Sequence, residues 1–255
     1  MSARRLSLCA LAGLPLIAPG DDLPALLASA LREMHIVPQD GDILVVAQKI
    51  VSKAEGRIVD LADVAPSPRA CLLAREVCKD ARLVEVILRE STEVVRHKKD
   101  VLIVAHRLGF VMANAGVDQS NVGCDGGSRV LLLPCAPDAS AARIKARLDR
   151  EFSVDLGVVI NDSFGRPWRN GVVGVALGAA GIPALWSLVG APDLFGRPMR
   201  VTEVAIADQI ASAASLLMGE ADERLPAVHV RGMSWHAEPV PASALVRPRE
   251  MDMFR

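Results

Sequence analysis

Apolar positions along this chain switch between helical spacing and short unbroken runs. LSLCALAGLPLIA near the N-terminus reads as a first strand and a turn. Leu23, Leu26, Leu27, Ala30, Leu31 and Met34 then recur at helical spacing behind an acidic cap, Asp21 or Asp22. Asp40-Gly41-Asp42 turns the chain into Ile43 to Ala47, an apolar run suited to a strand covered on both faces. After a turn at Ala54-Glu55-Gly56, Ser67-Pro68 opens a helix, and a second helical stretch runs from about Leu83 to Val95. Strands are predicted at Val101 to Ala105 and Phe110 to Asn114, linked through Leu108-Gly109. A glycine-rich loop, Gly123 to Gly127, leads to a strand at Val130 to Leu133. Asp138 is the predicted cap of a helix whose Ile144, Leu148 and Phe152 form one stripe. Leu156 to Ile160 is another buried strand, followed by the polar segment NDSFGRPWRNG. The glycine-dense stretch Gly171 to Gly181 predicts close backbone approach to a ligand or another subunit. A last helix, about Val201 to Met218, presents Ile206, Ile210, Ala213, Ala214 and Leu217. Mixed helix and strand is the class that follows; strand order is not legible.

With 255 residues, 51% hydrophobic and a formal net charge of −1, the chain suits a globular protein with a substantial core. That charge argues against bulk nucleic-acid binding, and 3% aromatics without tyrosine argue against a base-stacking platform. Cys9, Cys71, Cys78, Cys124 and Cys135 are odd in number and form no C-x-x-C pair, so reduced thiols are expected rather than a disulfide framework or zinc site. Cys71 and Cys78, seven apart, suit one packed helix face. Arg4-Arg5 before an apolar run resembles a secretory signal, but Pro15 and Pro19 interrupt it and no cleavage pattern is clear. No stretch is long enough to span a bilayer, and a cytoplasmic, membrane-free protein is the expectation.

The usual phosphate-loop, dinucleotide, nucleophile-elbow and H-E-x-x-H patterns are missing, and His35, His97, His106, His229 and His236 lack metal-ligand spacing. Three segments remain. NAGVDQSN (114–121) offers Asn114, Asp118, Ser120 and Asn121, oxygen donors suited to Mg²⁺ or Mn²⁺; the same residues also describe an Asx-rich turn. NDSFGRPWRNG (161–171) places Asp162 and Ser163 directly after a buried strand. Its Arg166 and Arg169 suit phosphate or carboxylate, or are merely solvated, and its Trp168 shields a site or simply packs. QKIVSKAEGR (48–57) offers Lys49 and Lys53 to a phosphate, or forms an exposed hairpin with charged tips.

GLPLIAPGDDL, VSKAEGR, NAGVDQSN, NDSFGRPWRNGVVG, DLFGRPMRVTEVAIAD and LLMGE occur in this order across nearly the whole chain. That series resembles the coenzyme F420-0:L-glutamate ligase family. The resemblance implies an α+β, mixed-sheet fold spanning residues 1–255 as one ligase domain, divisible into two subdomains, and an intertwined homodimer. It implies GTP as co-substrate and two divalent cations, Mn²⁺ or Mg²⁺, for joining L-glutamate to F420-0. Some relatives add a C-terminal flavin domain, which this chain is expected to lack. Position by position, Asp118 and Asp162 would bind metal, with Ser163, where many relatives have Thr, serving the second ion. Leu14, Pro15, Leu16 and Ile17, with Gln48, Lys49, Lys53 and Asn121, would line the nucleotide site. Leu216, Leu217, Met218, Gly219, Glu220, Ala221, Asp222 and Glu223 would close over it.

An ordinary carboxylate is a poor acyl donor, so phosphoryl transfer to make an acyl phosphate, then attack by the glutamate amine, is the expected route. Such transfer asks mainly for positioning and charge neutralisation, here expected of Asp118, Asp162 and Lys53. Arg166 and Arg169 are expected to hold the anionic acceptor or glutamate, and no general base is legible. The alternatives are a ligase of the same fold for another acid and amine, a non-catalytic GTP-binding protein and a metal-dependent phosphohydrolase.

Overall fold

The computed structural model describes residues 5–120 and 128–253. Its strands are β1 (Ser7–Ala10), β2 (Ile43–Ala47), β3 (Ile58–Asp60), β4 (Ser91–Lys98), β5 (Val101–His106), β6 (Val111–Ala113), β7 (Arg129–Leu131), β8 (Gly157–Arg166), β9 (Arg169–Ala180), β10 (Leu185–Ser187), β11 (Glu203–Ala205) and β12 (Ala227–Arg231). Its α-helices are α1 (Leu23–Glu33), α2 (Gln48–Ala54), α3 (Pro68–Val77), α4 (Ala81–Arg89), α5 (Pro137–Phe152) and α6 (Ile206–Met218).

A five-stranded mixed sheet runs in the order β1-β12-β2-β8-β9, with only the β2–β8 pair parallel. The unbroken apolar run of β2 serves both faces. Leu44 and Val46 enter a core beneath α1, α2 and α5, while Ile43 and Val45 enter a second core beneath α6. A third core lies in the 61–132 region. There α3 and α4 pack against β5 of the β4-β5-β6 sheet, joined by Val130 and Leu132 from the β7 segment. The fold is α+β with a mixed sheet, as expected.

Capping chemistry explains several boundaries. The Asp22 carboxylate accepts from the Ala25 N–H at the start of α1, and the Ser67 hydroxyl does the same for Ala70 at α3. Elsewhere the structure corrects the pattern. The stretch predicted helical to Val95 ends at Arg89, and Thr92, Val94 and Val95 join β4, where β-branched side chains suit a pleated surface. The last helix begins at Ile206 rather than Val201, because Glu203–Ala205 pair with β10. Asp138 lies inside the first turn of α5 rather than capping it. Its carboxylate accepts from the backbone N–H groups of Ala179, Ala242 and Ser243, tying helix, sheet and C-terminal segment together.

The glycine-dense stretch is β9, and close approach is indeed why glycine is needed there. The neighbours are helices of the same chain: a methyl at Gly174 would lie 2.4 Å from the Ala211 carbonyl oxygen, and one at Gly178 would lie 2.4 Å from Pro137 backbone atoms. The polar segment NDSFGRPWRNG is itself part of the sheet. β8 continues through it to Arg166 and returns through β9 as a long hairpin. No helix among the described residues is long and apolar enough to cross a membrane.

Candidate active site

The parallel pair sets the place. β2 and β8 are in register up to Ala47 and Asn161. Beyond those residues β2 passes straight into α2, while β8 projects on with β9. Asp162 and Ser163 therefore sit just past the point where the parallel pairing ends, close to the position favoured for ligand sites in such sheets. QKIVSKA is a helix rather than a hairpin tip, so Lys49 and Lys53 fall one turn apart on the same face.

Asp118 arrives from the other side. Asn114 and Ala115 adopt left-handed backbone (φ 53° and 54°), which re-aims the chain after β6. Asp118 then pairs with Leu131 through two backbone hydrogen bonds, of 2.8 and 3.0 Å. Its carboxylate meets the Lys49 ammonium at 2.7 Å, and Lys49 also donates to the Ser120 hydroxyl at 2.8 Å. The Ser120 N–H and hydroxyl both donate to Asp118, at 2.7 and 2.9 Å. The Asx turn and the charged site are thus the same object. On the α6 side, the Ser163 hydroxyl donates to Glu220 at 2.8 Å. Asn161 donates to Ser215 at 3.0 Å near the end of α6, and its Oδ1 is buried without a hydrogen-bond partner among the described residues.

Charge is unevenly balanced here. Burial pushes the Asp118 carboxyl up, but Lys49 and Ser120 outweigh it and hold it below its ordinary value. Asp162 makes no ion pair among the described residues. Burial, with Asp118 and Glu220 nearby, lifts its carboxyl from 3.8 to about 7, despite the Ser163 N–H and Lys49. Burial also lowers the Lys53 ammonium, and neighbouring Lys49 lowers it further. Two crowded carboxylates beside the Lys49 ammonium, with Lys53 one turn along α2, form a site that a bound cation and a bound polyanion would each relieve.

These oxygen donors fit a hard divalent cation, and the Lys49 ammonium occupies the position beside Asp118 that such an ion would compete for. Among the described residues, no three His, Cys, Asp or Glu side chains converge closely enough to enclose an ion alone.

The other expected residues divide sharply. Pro15 and Leu16 are exposed and Leu14 is half-buried, but the Ile17 side chain is buried in the core beneath α1. Gln48 is buried, its amide oxygen accepting from Ser52 within α2, so the side chain turns inward. Leu217 and Met218 pack in the α6 core, leaving Leu216 and the turn from Gly219 through Glu223 at the surface. Glu223 accepts from the Ala221 N–H within that turn, and Asp222 is exposed. Asn121 and the loop from 123 to 127 lie outside the described residues. Arg166 and Arg169 pair across the exposed hairpin tip, about 13 Å along the strand from Asp162 at ordinary strand rise. The single chain does not bring those arginines to the acids.

Sequence reasoning assigned Glu220 to the nucleotide and not to Ser163. No spacing relates these residues, because their contact depends on α6 docking against β9. Glu55 and Arg57, visible in VSKAEGR, received no role.

A family model described as F420-0:Gamma-glutamyl ligase matches residues 13–232. Among similar proteins, coenzyme F420:L-glutamate ligase of Methanothermobacter thermautotrophicus is 47% identical over 98% of this chain and 99% of its own length. The proteins of that name from Methanopyrus kandleri and Methanocaldococcus jannaschii are 46% and 44% identical. These cover 94% and 85% of this chain, and 93% and 86% of their own lengths.

Proposed function

This chain belongs to the F420-0:Gamma-glutamyl ligase family, and from that premise we propose that it joins L-glutamate to coenzyme F420-0, with GTP as co-substrate. The observation that carries the reading is the convergence of Lys49 with Asp118 and Asp162 where the parallel β2–β8 pairing ends, with Glu220 on Ser163 and with Lys53 one helix turn from Lys49. An amide ligase must bind a triphosphate and neutralise charge during transfer, and this arrangement offers both signs of charge for doing so.

Asp118, Asp162 and the Ser163 hydroxyl, with Glu220 beside it, would hold Mn²⁺ or Mg²⁺. Such ions, when bound, supply charge neutralisation on phosphate oxygens. The chain's own residues do the rest. Lys53, which lacks an ion-pair partner among the described residues, meets the anionic phosphate tail as a point charge. Lys49, released from Asp118, adds a second. The exposed turn from Gly219 to Glu223 and the Pro15-Leu16 loop border the nucleotide. The acceptor carboxylate oxygen attacks the γ-phosphorus, the P–O bond to GDP breaks, and an acyl phosphate results. The glutamate amine then attacks the acyl carbon, inorganic phosphate leaves, and the amine loses a proton.

A homodimer accompanies this reading. Trp168 on the β8–β9 hairpin, together with Leu194, Phe195 and Val201 between β10 and β11, is 81–92% exposed. Large apolar side chains so exposed suit a subunit interface. Sedimentation tests it, and a monomer at micromolar concentration refutes it.

The deciding assay is substrate omission. Protein, GTP, Mn²⁺, F420-0 and glutamate should yield GDP and a glutamylated product, and leaving out either acid or amine should stop the product. GDP release that continues at full rate without glutamate would indicate a phosphohydrolase. Release dependent on a different pair would indicate another ligase of the fold. Metal-dependent GTP binding without any turnover would indicate a pure binder.

A further inference from the structure

Reactive charges need fixed separations, and α2, which carries both lysines, has only seven residues. A helix this short is marginal alone and must be held by its surroundings. The chain leaving it supplies two side chains that do so, both from the VSKAEGR segment. Glu55 accepts from the Ser140 hydroxyl, and from Arg143 at 2.7 Å, on α5. Arg57 reaches the opposite way: its Nε donates to the Leu133 carbonyl at 2.9 Å and its terminal nitrogen to Glu90 at 2.9 Å.

The Arg57 contacts close a ring. Asp118 pairs by backbone with Leu131; Leu132 donates its N–H to the Arg57 carbonyl at 2.9 Å; Leu133 receives the guanidinium. The Arg57 N–H returns to the Ser52 carbonyl inside α2 at 2.9 Å, and α2 returns to Asp118 through Lys49. Arg57 therefore bonds the helix holding the cations through its backbone N–H, and the segment holding the acid through its backbone carbonyl and its guanidinium, which anchors the residue between the two. Glu90 is itself braced. Arg107 donates to it at 3.1 Å, and buried His106 lies 3.5 Å away. His106 Nδ1 accepts from the Leu108 N–H at 2.9 Å, so Nε2 carries the ring proton toward Glu90. The pair is mostly buried, with Arg57 19% and Glu90 13% exposed, so solvent screens it little.

We infer that Arg57, seated on Glu90 and the Leu133 carbonyl, is a positioning residue that sets the distance from Lys49 and Lys53 to Asp118. It acts through α2. The inference rests on the ligase reading for its consequence in catalysis, but its structural content does not.

Competitive acylation of lysines at mildly alkaline pH, quantified peptide by peptide, reads that content without turnover. In wild type, Lys49 is protected by Asp118 and Ser120. Arg57→Lys keeps the charge and loses the two-pronged contact, so Lys49 labelling should rise about fivefold, as expected for losing one ion pair. Lys145, held by Asp149 and Asp155 far along the chain, should keep its wild-type rate and so reports global loosening. Arg107→Ala, which shares Glu90 but not α2, should leave Lys49 protected. In the ligase assay, Arg57→Lys should lower kcat roughly tenfold to a hundredfold with the KM for glutamate unchanged. Combining it with Lys53→Ala should cost less than the product of the two single losses. Unchanged Lys49 labelling in Arg57→Lys overturns the inference, as does an equal rise at Lys145 or a strictly multiplicative double variant. Absence of wild-type turnover would count against the ligase reading alone, since the labelling comparison still decides the role of Arg57.

Discussion

Replacing Asp162 by Asn should stabilise the metal-free protein at alkaline pH while destroying its response to cations. The folded carboxyl titrates at about 7 against an ordinary 3.8, so the folded chain keeps its proton longer than the unfolded chain. The associated stability is complete below about pH 4 and is lost as pH rises through about 7. The full interval corresponds to roughly 4 kcal/mol, of which about 2–3 kcal/mol falls between about pH 5 and about pH 8.5. Asn has no charge to bury. With EDTA present, the melting temperature of Asp162→Asn relative to wild type should climb over that range, by roughly 5–10 °C for a chain of this size. Added Mn²⁺ or Mg²⁺ should raise wild type at about pH 8, where the ionised carboxylate can receive it, and leave the variant unmoved. Turnover of the variant should collapse although it folds. Parallel melting curves for the two proteins from about pH 5 to about pH 8.5 in EDTA would refute the electrostatic argument, whatever the activity shows.

Lys53→Ala should weaken GTP binding about tenfold or more, the worth of one partly buried ammonium on phosphate, and titration calorimetry with Mn²⁺ present checks it. Ser163→Ala should raise the metal concentration needed for half-maximal turnover, whereas Ser163→Thr, which keeps the hydroxyl, should behave as wild type in the same titration. Gly174→Ala should cost about 1–3 kcal/mol, because its methyl would meet the Ala211 carbonyl oxygen at 2.4 Å; chemical denaturation measures it, and an unchanged midpoint would show that α6 shifts freely.

Elements governed by local chemistry were readable from the chain itself. The apolar run of β2 and the caps at Asp22 and Ser67 needed only neighbouring residues. Long-range partners decided the rest. Residues 201–205 suit a helix until β10 is there to pair with them. Asp138 looks like a cap because nothing nearby reveals that Ala179 and Ala242 will present bare amides to it. QKIVSKA was ambiguous because too few residues separate β2 from Gly56 to display a helical period. At the site, Asp118, Asp162 and Lys49 were chosen from separate segments, and the fold brings them together. Arg166 and Arg169 suit an anionic substrate by residue type, but only the strand pairing reveals that they sit together at the hairpin tip. The Ser163–Glu220 contact and the Arg57 ring depend on tertiary packing that no spacing records.

The place of β12 has a bearing on synthesis. It lies between β1 and β2, so a ribosome must complete almost the entire polypeptide before β1 can join the sheet. Until then β1 has no neighbour and one edge of β2 stays open, a template for mispairing with other nascent chains. Assembly should accordingly be post-translational and slow, limited by a closure between the most distant parts of the sequence, and yields at high expression should depend on how long folding helpers shield that gap.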